Sequence, residues 1–185
     1  QSMDAAAFLT TVTKHTGEVN DADNAAEATV GAFRAALTER QGAAALVLPA
    51  DVLAAPTAAA ITTRHPVPAL AGAPVAAIRA AADIIAAAER PVLLVGVRGA
   101  APDSCKALRD LVSATSLPVV ETFQGAGVIS RELESHYLGR VGLFRNQPGD
   151  ILVSEADVLI TVGYDAVEYD PGLWNDDPAR TVIHV

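Results

Sequence analysis

Two short turns hold most of the residues that could do chemistry. Glu121-Thr-Phe-Gln-Gly-Ala-Gly127 joins an acid and an amide to two glycines, and Gly163-Tyr-Asp165 joins a glycine to a phenol and a carboxylate. Glycine has no Cβ, so its backbone can approach a ligand closely. Gln124, Gly125, Gly127, Tyr164 and Asp165 are therefore candidates for lining a cleft, with plain turn-forming glycine as the competing reading. A third turn, Val95-Gly-Val-Arg-Gly-Ala100, sits where a nucleotide-binding turn belongs, after an apolar run and before a helical one. Its spacing is not G-x-G-x-x-G and no acidic residue is well placed about 20 residues on. A tight strand-to-helix turn and contact of Gly96–Gly99 with FAD or another nucleotide both stay open.

The other reactive side chains are dispersed. His15, His65, His136 and His184 share no metal-ligand spacing, which favours structural or solvent roles. Cys105 is the only cysteine, so no disulfide can form within the chain, and its helical register favours an inert core thiol. No serine sits in a G-x-S-x-G elbow. Arg131, Arg140 and Arg145 could bind an anion or a partner subunit. Exposed pairing with Glu132, Glu134 and Asp150 is the default expectation.

The elements that must position these turns follow from pattern. Pro91–Val95, Pro118–Val120, Val158–Val162 and Thr181–Val185 read as strands. The first is apolar at consecutive positions after its proline, as in an inner parallel strand buried on both faces. Between the strands lie helices expected at Ala73–Glu89, with Val75, Ile78, Ala82 and Ile85 inward, at Pro102–Thr115 and at Pro148–Glu155. A shorter helix is expected at Ile129–Tyr137. Proline opens the second and third, where its missing N–H is harmless. This alternation predicts an α/β fold with a doubly wound parallel, Rossmann-like sheet. Such sheets bind ligands outside the carboxyl ends of their strands, where the candidate turns lie.

The first 20 residues are polar and irregular apart from a short helical possibility at Ala5–Leu9. Asp23 or Asn24 can cap a helix that runs to about Arg40, Asn24 with capping-box spacing to Glu27, and a strand follows at Ala44–Leu48. Five prolines between Pro49 and Pro74 resist helix and inner strand alike. The expected organisation is a partial α/β segment over 1–53, a linker over 54–72 and a domain over 73–185.

A net charge of −9 leaves no positive surplus to displace counterions, which argues against nucleic acid and an anionic membrane surface. No apolar run approaches the ~20 residues of a membrane span, and the first residues lack the features of a signal peptide. A cytoplasmic protein is expected. The start on Gln1 and the end inside or just after a strand suggest a piece of a longer chain.

The stretch 118–174 also resembles a known family. ETFQGAGVISRELE, GRVGLFRNQPGDIL and the GYD…EY…WN run look like the central domain of catabolic acetolactate synthase, a thiamine-diphosphate enzyme. Residues 1–53 resemble the end of that family's pyrimidine-binding domain. The resemblance implies a parent that joins two pyruvates into 2-acetolactate and CO₂, uses thiamine diphosphate and Mg²⁺, and forms dimers or tetramers. It implies that Gln1 lies near the reacting carbon of the parent, that Gln124 lines its cleft, and that FAD is absent. It implies, too, that this piece alone is structural and inactive. The family's Mg²⁺ motif, GDG with an asparagine later in the chain, is imitated by Gly149-Asp150 and Asn175. Ile151 stands where the last glycine should be, and Pro148 opens a helix there, so Asp150 reads as a helix N-terminal charge. The central domain of another thiamine-diphosphate enzyme, such as a pyruvate oxidase or decarboxylase, is the alternative within the fold.

Overall fold

The computed structural model describes residues 3–61, 71–142 and 147–185. The chain divides into two compact units, 1–72 and 73–185.

In the first unit, α1 (Ala5–Leu9) is opened by Asp4, whose carboxylate accepts from Ala7 N at 2.8 Å. A two-stranded parallel sheet follows, pairing β1 (His15–Glu18) with β2 (Ala44–Val47) in the register His15 to Ala44. The sequence reading leaves β1 unassigned because its residues, His-Thr-Gly-Glu, carry no apolar signal; its backbone bonds to β2 make it a strand. Between the two runs α2 (Ala25–Leu37). Asn24 makes no side-chain cap there; the entry is instead a 3₁₀ turn over Ala22–Asn24, with the Asp21 carboxylate accepting from Asp23 N at 3.0 Å. Asp21 takes the first free amide, and the expected Asn24–Glu27 box is displaced. A short α3 (Ala50–Ala54) follows Pro49, which stands just outside the helix as an extended residue that tolerates the missing donor.

The second unit is a five-stranded, wholly parallel sheet in the order β5-β4-β3-β6-β7, formed by Pro91–Val95 (β3), Val119–Thr122 (β4), Tyr137–Val141 (β5), Val158–Val162 (β6) and Thr181–His184 (β7). β3 is central, which explains its unbroken apolar run. Val92 and Leu94 enter one core with Val120, Val153, Leu159 and Trp174, while Leu93 and Val95 enter the other with Leu108, Val112 and Val119. α6 (Pro148–Glu155) supplies Val153 to the first core, and α5 (Pro102–Thr115) supplies Leu108 and Val112 to the second. The sheet is thus wound on both faces, as the strand–helix alternation predicts.

Two expectations change. α4 (Val75–Ala87) does not bury the expected face: Val75 and Ile78 are exposed and only Ile85 reaches the second core. Alanine-rich helices have little side chain to insert, so a regular apolar stripe need not become a buried one. The helix expected at Ile129–Tyr137 is a 3₁₀ segment over Arg131–His136 that leads into the edge strand β5. Gly139 in β5 has φ +110°, and the β4–β5 register shifts between Val119 and Glu121. That irregularity hides the strand from a period-two reading.

Candidate functional site

From β3 the chain passes to β4 and β5 on one side of the sheet, then returns to β6 on the other. The carboxyl ends of β3 and β6 therefore flank the point where the strand order reverses, the usual place for a ligand crevice in an open α/β sheet. Gly96–Gly99 and Gly163–Asp165 meet there. A Cβ on Gly163, whose φ is +60°, would stand 2.0 Å from Gly99 N, and one on Gly96 would stand 2.5 Å from the Tyr164 Cα. These glycines admit neighbouring backbone.

The amides of the Gly96–Gly99 turn all find acceptors within the chain. Gly96 N donates to Val162 O at 2.9 Å, Arg98 N to Gly163 O at 3.1 Å and Gly99 N to Gly96 O at 2.9 Å. Val97 N donates to both carboxylate oxygens of Glu168 at 3.0 Å. A dinucleotide diphosphate needs such amides free and faces no fixed anion. The residues present do not fit a bound diphosphate.

Tyr164 and Asp165 lie in the loop that fills this crevice. Asp165 pairs with Arg98 at 2.8 Å, and Arg98 also donates to Tyr164 O at 2.7 Å. The Tyr164 ring meets Trp174 edge-on, with centroids 5.6 Å apart. Its hydroxyl donates to Tyr169 O and accepts from Trp174 Nε1. Burial raises the Tyr164 phenol above its ordinary value; the bond from Trp174 opposes that, and the carboxylates of Asp170, Glu168 and Asp165 add to it.

Gln124, Gly125 and Gly127 lie in the turn after β4. Gln124 is exposed, Gly125 is buried, and Gly127 has φ +95°. Gly125 N donates to Thr122 O and to Thr122 Oγ1, both at 3.1 Å, and a Cβ on Gly125 would stand 2.4 Å from Val95 O. The turn therefore rests on the end of β3. Its far side is held by Glu121, a carboxylate only 3% exposed. Glu121 accepts from Gly127 N, Val128 N and Ile129 N at 3.1, 3.1 and 3.2 Å. Beside it opens a cavity of about 410 Å³ lined by Ile129, Arg131, Glu134, Tyr137 and Arg140 among others. Arg140 also lies 5.8 Å from the centre of the Phe123 ring.

Among the described residues Asp150 forms no ion pair with Arg131 or Arg140, contrary to the default expectation, and Arg145 lies outside them. Asp150 lies in the first turn of α6, accepts from Gln147 N at 3.1 Å and from the Tyr169 hydroxyl at 3.0 Å. It thus closes the capping box of α6 with Gln147. Asn175 follows the 3₁₀ turn Pro171–Leu173 and donates its backbone N–H to Pro171 O. Among the described residues no three His, Cys, Asp or Glu side chains converge as metal ligands. His184 Nδ1 and Thr161 Oγ1 share a hydrogen bond at 2.6 Å. Cys105 is half-buried against the second core. Gln1, His65 and Arg145 lie outside the described residues.

Sequence reasoning missed three residues. Glu121 and Thr122 carried a signal: two polar residues closing an apolar strand, where a carboxyl-end site begins. Glu168 stood in the family-like GYD…EY…WN run but carried no sign of its contacts, because its partners Val97 and Thr122 are 71 and 46 residues away.

Residues 78–185 match the family model of the thiamine pyrophosphate enzyme central domain, and the chain belongs to that family. Over all 185 residues it is 46% identical to acetolactate synthase of Bacillus subtilis and 37% identical to the catabolic acetolactate synthase of Raoultella terrigena. Over 175 residues it is 31% identical to a probable acetolactate synthase large subunit of Methanococcus aeolicus, covering 88% of this chain and 28% of that one. The chain spans 32% and 33% of the length of the first two. Among the described residues no helix is long and apolar enough to cross a membrane.

Proposed function

We propose that this chain is a segment of an acetolactate synthase that joins two pyruvates to give 2-acetolactate and CO₂. The carrying observation is similarity over the whole chain at 46% identity to a relative of that name. In this reading 1–53 ends the pyrimidine-binding domain, 54–72 links, and 73–185 is the central domain. Thiamine diphosphate, with Mg²⁺, supplies the carbanion chemistry in the assembled enzyme. No residue described here is assigned to hold either. The segment's part is architectural: it spaces the cofactor-binding domains and closes one wall of the substrate cleft. Gln124, Gly125 and Gly127, with Tyr164 and Asp165 behind them, are the wall residues, and Gln1 is the residue nearest the chemistry. A cytoplasmic homodimer or homotetramer is the expected assembly.

The closed crevice supports a parent that works without FAD, since every amide of the Gly96–Gly99 turn is already bonded. Two measurements test the reading. Acetolactate should form from pyruvate, thiamine diphosphate and Mg²⁺ with the full-length protein and not with these 185 residues alone. Turnover by the segment would overturn the architectural role, and an inactive full-length protein would overturn the reaction. Separately, FAD fluorescence should stay unquenched when the segment is added; saturable quenching would favour a nucleotide-binding domain instead.

A further inference from the structure

Glu168 is the polar group through which three strand ends meet. It lies in the loop after β6, yet it accepts from Val97 N beyond β3, from Thr122 Oγ1 at the end of β4 and from Asp165 N beyond β6, at 3.0, 2.8 and 3.2 Å. Each carboxylate oxygen serves at least two donors. Thr122 is fully buried. A hydroxyl has one proton to give. Because Thr122 gives it to Glu168, its oxygen faces Gly125 N as an acceptor, at 3.1 Å. The carboxylate thus sets the direction of a relay running Gly125 N to Thr122 Oγ1 to Glu168.

We propose that Glu168 is a positioning residue for the Thr122–Gly127 turn, acting through the Thr122 hydroxyl to set how that turn presents Gln124 to the substrate cleft. The inference rests on the acetolactate synthase reading above. An acceptor-only group is required. Glutamine has the same shape, but its NH₂ would face an N–H or O–H donor whichever way the amide turned. With the NH₂ towards Thr122, the hydroxyl would have to reverse, leaving Gly125 N facing a proton inside a buried turn that rests on Val95 O; with the NH₂ towards Asp165, the bond from Asp165 N would be lost and that N–H would face a second donor.

The test is steady-state kinetics on the full-length enzyme, with Glu168→Gln, Thr122→Val, Thr122→Ser, Gln124→Ala and the double variant Glu168→Gln/Gln124→Ala. Small misplacements of cleft groups cost about tenfold or more in rate, so Glu168→Gln and Thr122→Val should each lower kcat/KM for pyruvate by about that factor. Thr122→Ser, which keeps the hydroxyl, should restore it. The double variant should be no worse than Gln124→Ala alone. Wild-type kcat and KM in Glu168→Gln, even with a lowered Tm, would overturn the proposal, as would losses that multiply in the double variant. Where Glu168→Gln fails to fold, the contrast between Thr122→Val and Thr122→Ser decides. A wild-type Gln124→Ala beside an impaired Glu168→Gln would remove Gln124 from the cleft wall while leaving Glu168 in control of the turn. An active Glu168→Gln beside an impaired Gln124→Ala would do the reverse.

Discussion

β3 and β2 are strands of the same kind, short, parallel and apolar, yet every residue of β3 after Pro91 is buried while all four of β2 are half-exposed. The difference lies in what surrounds them. β3 has a strand on each side and side chains from α5 and α6 packed over its two faces. β2 pairs with β1 alone, and among the described residues of 1–72 Val19 is the one hydrophobic side chain as buried as a core residue. Parallel strands are stable when both faces are covered, and two strands fall short of an independently stable sheet. Apolarity makes a strand possible; neighbours decide whether it holds a fold together.

The comparison predicts that the two units unfold separately. Trp174 is the only tryptophan, so its fluorescence reports on 73–185, whereas circular dichroism reports on both units. The two midpoints in guanidinium should not coincide, with the first unit unfolding at lower denaturant. Leu94 is fully buried at the centre of the sheet, and Leu94→Ala should cost about 3 kcal/mol on the fluorescence transition. Leu37 at the end of α2 is 41% exposed, and Leu37→Ala should cost less than about 1 kcal/mol and move only the early transition. Coincident midpoints, or equal costs for the two substitutions, would break the distinction.

The same contrast explains what could be read from sequence. β3, β6 and α5 were legible because their partners lie on both sides and impose one local pattern, continuous apolarity or a helical stripe. β1 was not, because His15–Glu18 gains its identity from backbone bonds to β2, some 29 residues on. α4 misled in the opposite sense, since an apolar stripe says nothing about whether a surface exists to receive it. The turns at Gln124 and Gly163 were legible as carboxyl-end loops. That the second fills the crevice, with Glu168 at its centre, depends on contacts across 71 residues and has no local signature.

A second test concerns the ties at the amino-end side of the sheet. Arg180 is 8% exposed, and its guanidinium donates to Ala156 O, Ser154 O and Trp174 O. It satisfies carbonyls at the end of α6 that have no partner within the helix. Arg180→Met keeps much of the volume and strands those acceptors, so it should cost about 2 kcal/mol. The loss should appear in the Trp174 transition and leave the earlier one in place. A shift in both would mean that the units share one cooperative transition.

The smallest expected effect depends on pH. The Asp157 carboxylate accepts from Glu89 N at 2.7 Å and Arg90 N at 2.9 Å, fastening the chain before β3 to the start of β6. The amide of Glu89 holds its pKa below the ordinary carboxylate value; burial opposes it, and the amides of Arg90, Val158 and Asp157 itself add to the lowering. A carboxyl that is more acidic when folded stabilises the fold at pH above its unfolded pKa, about 4. That contribution fades as pH falls through the lower folded value. Asp157→Asn keeps one acceptor and loses the charge. Wild type should therefore outlast the variant in the Trp174-monitored transition at pH 6, with the gap closing as pH falls below about 4 and the wild-type group becomes neutral too. The early transition should show no such gap, because Asp157 belongs to the second unit. A gap that stays constant through acid would assign the tie to hydrogen-bond geometry alone and remove charge from its account.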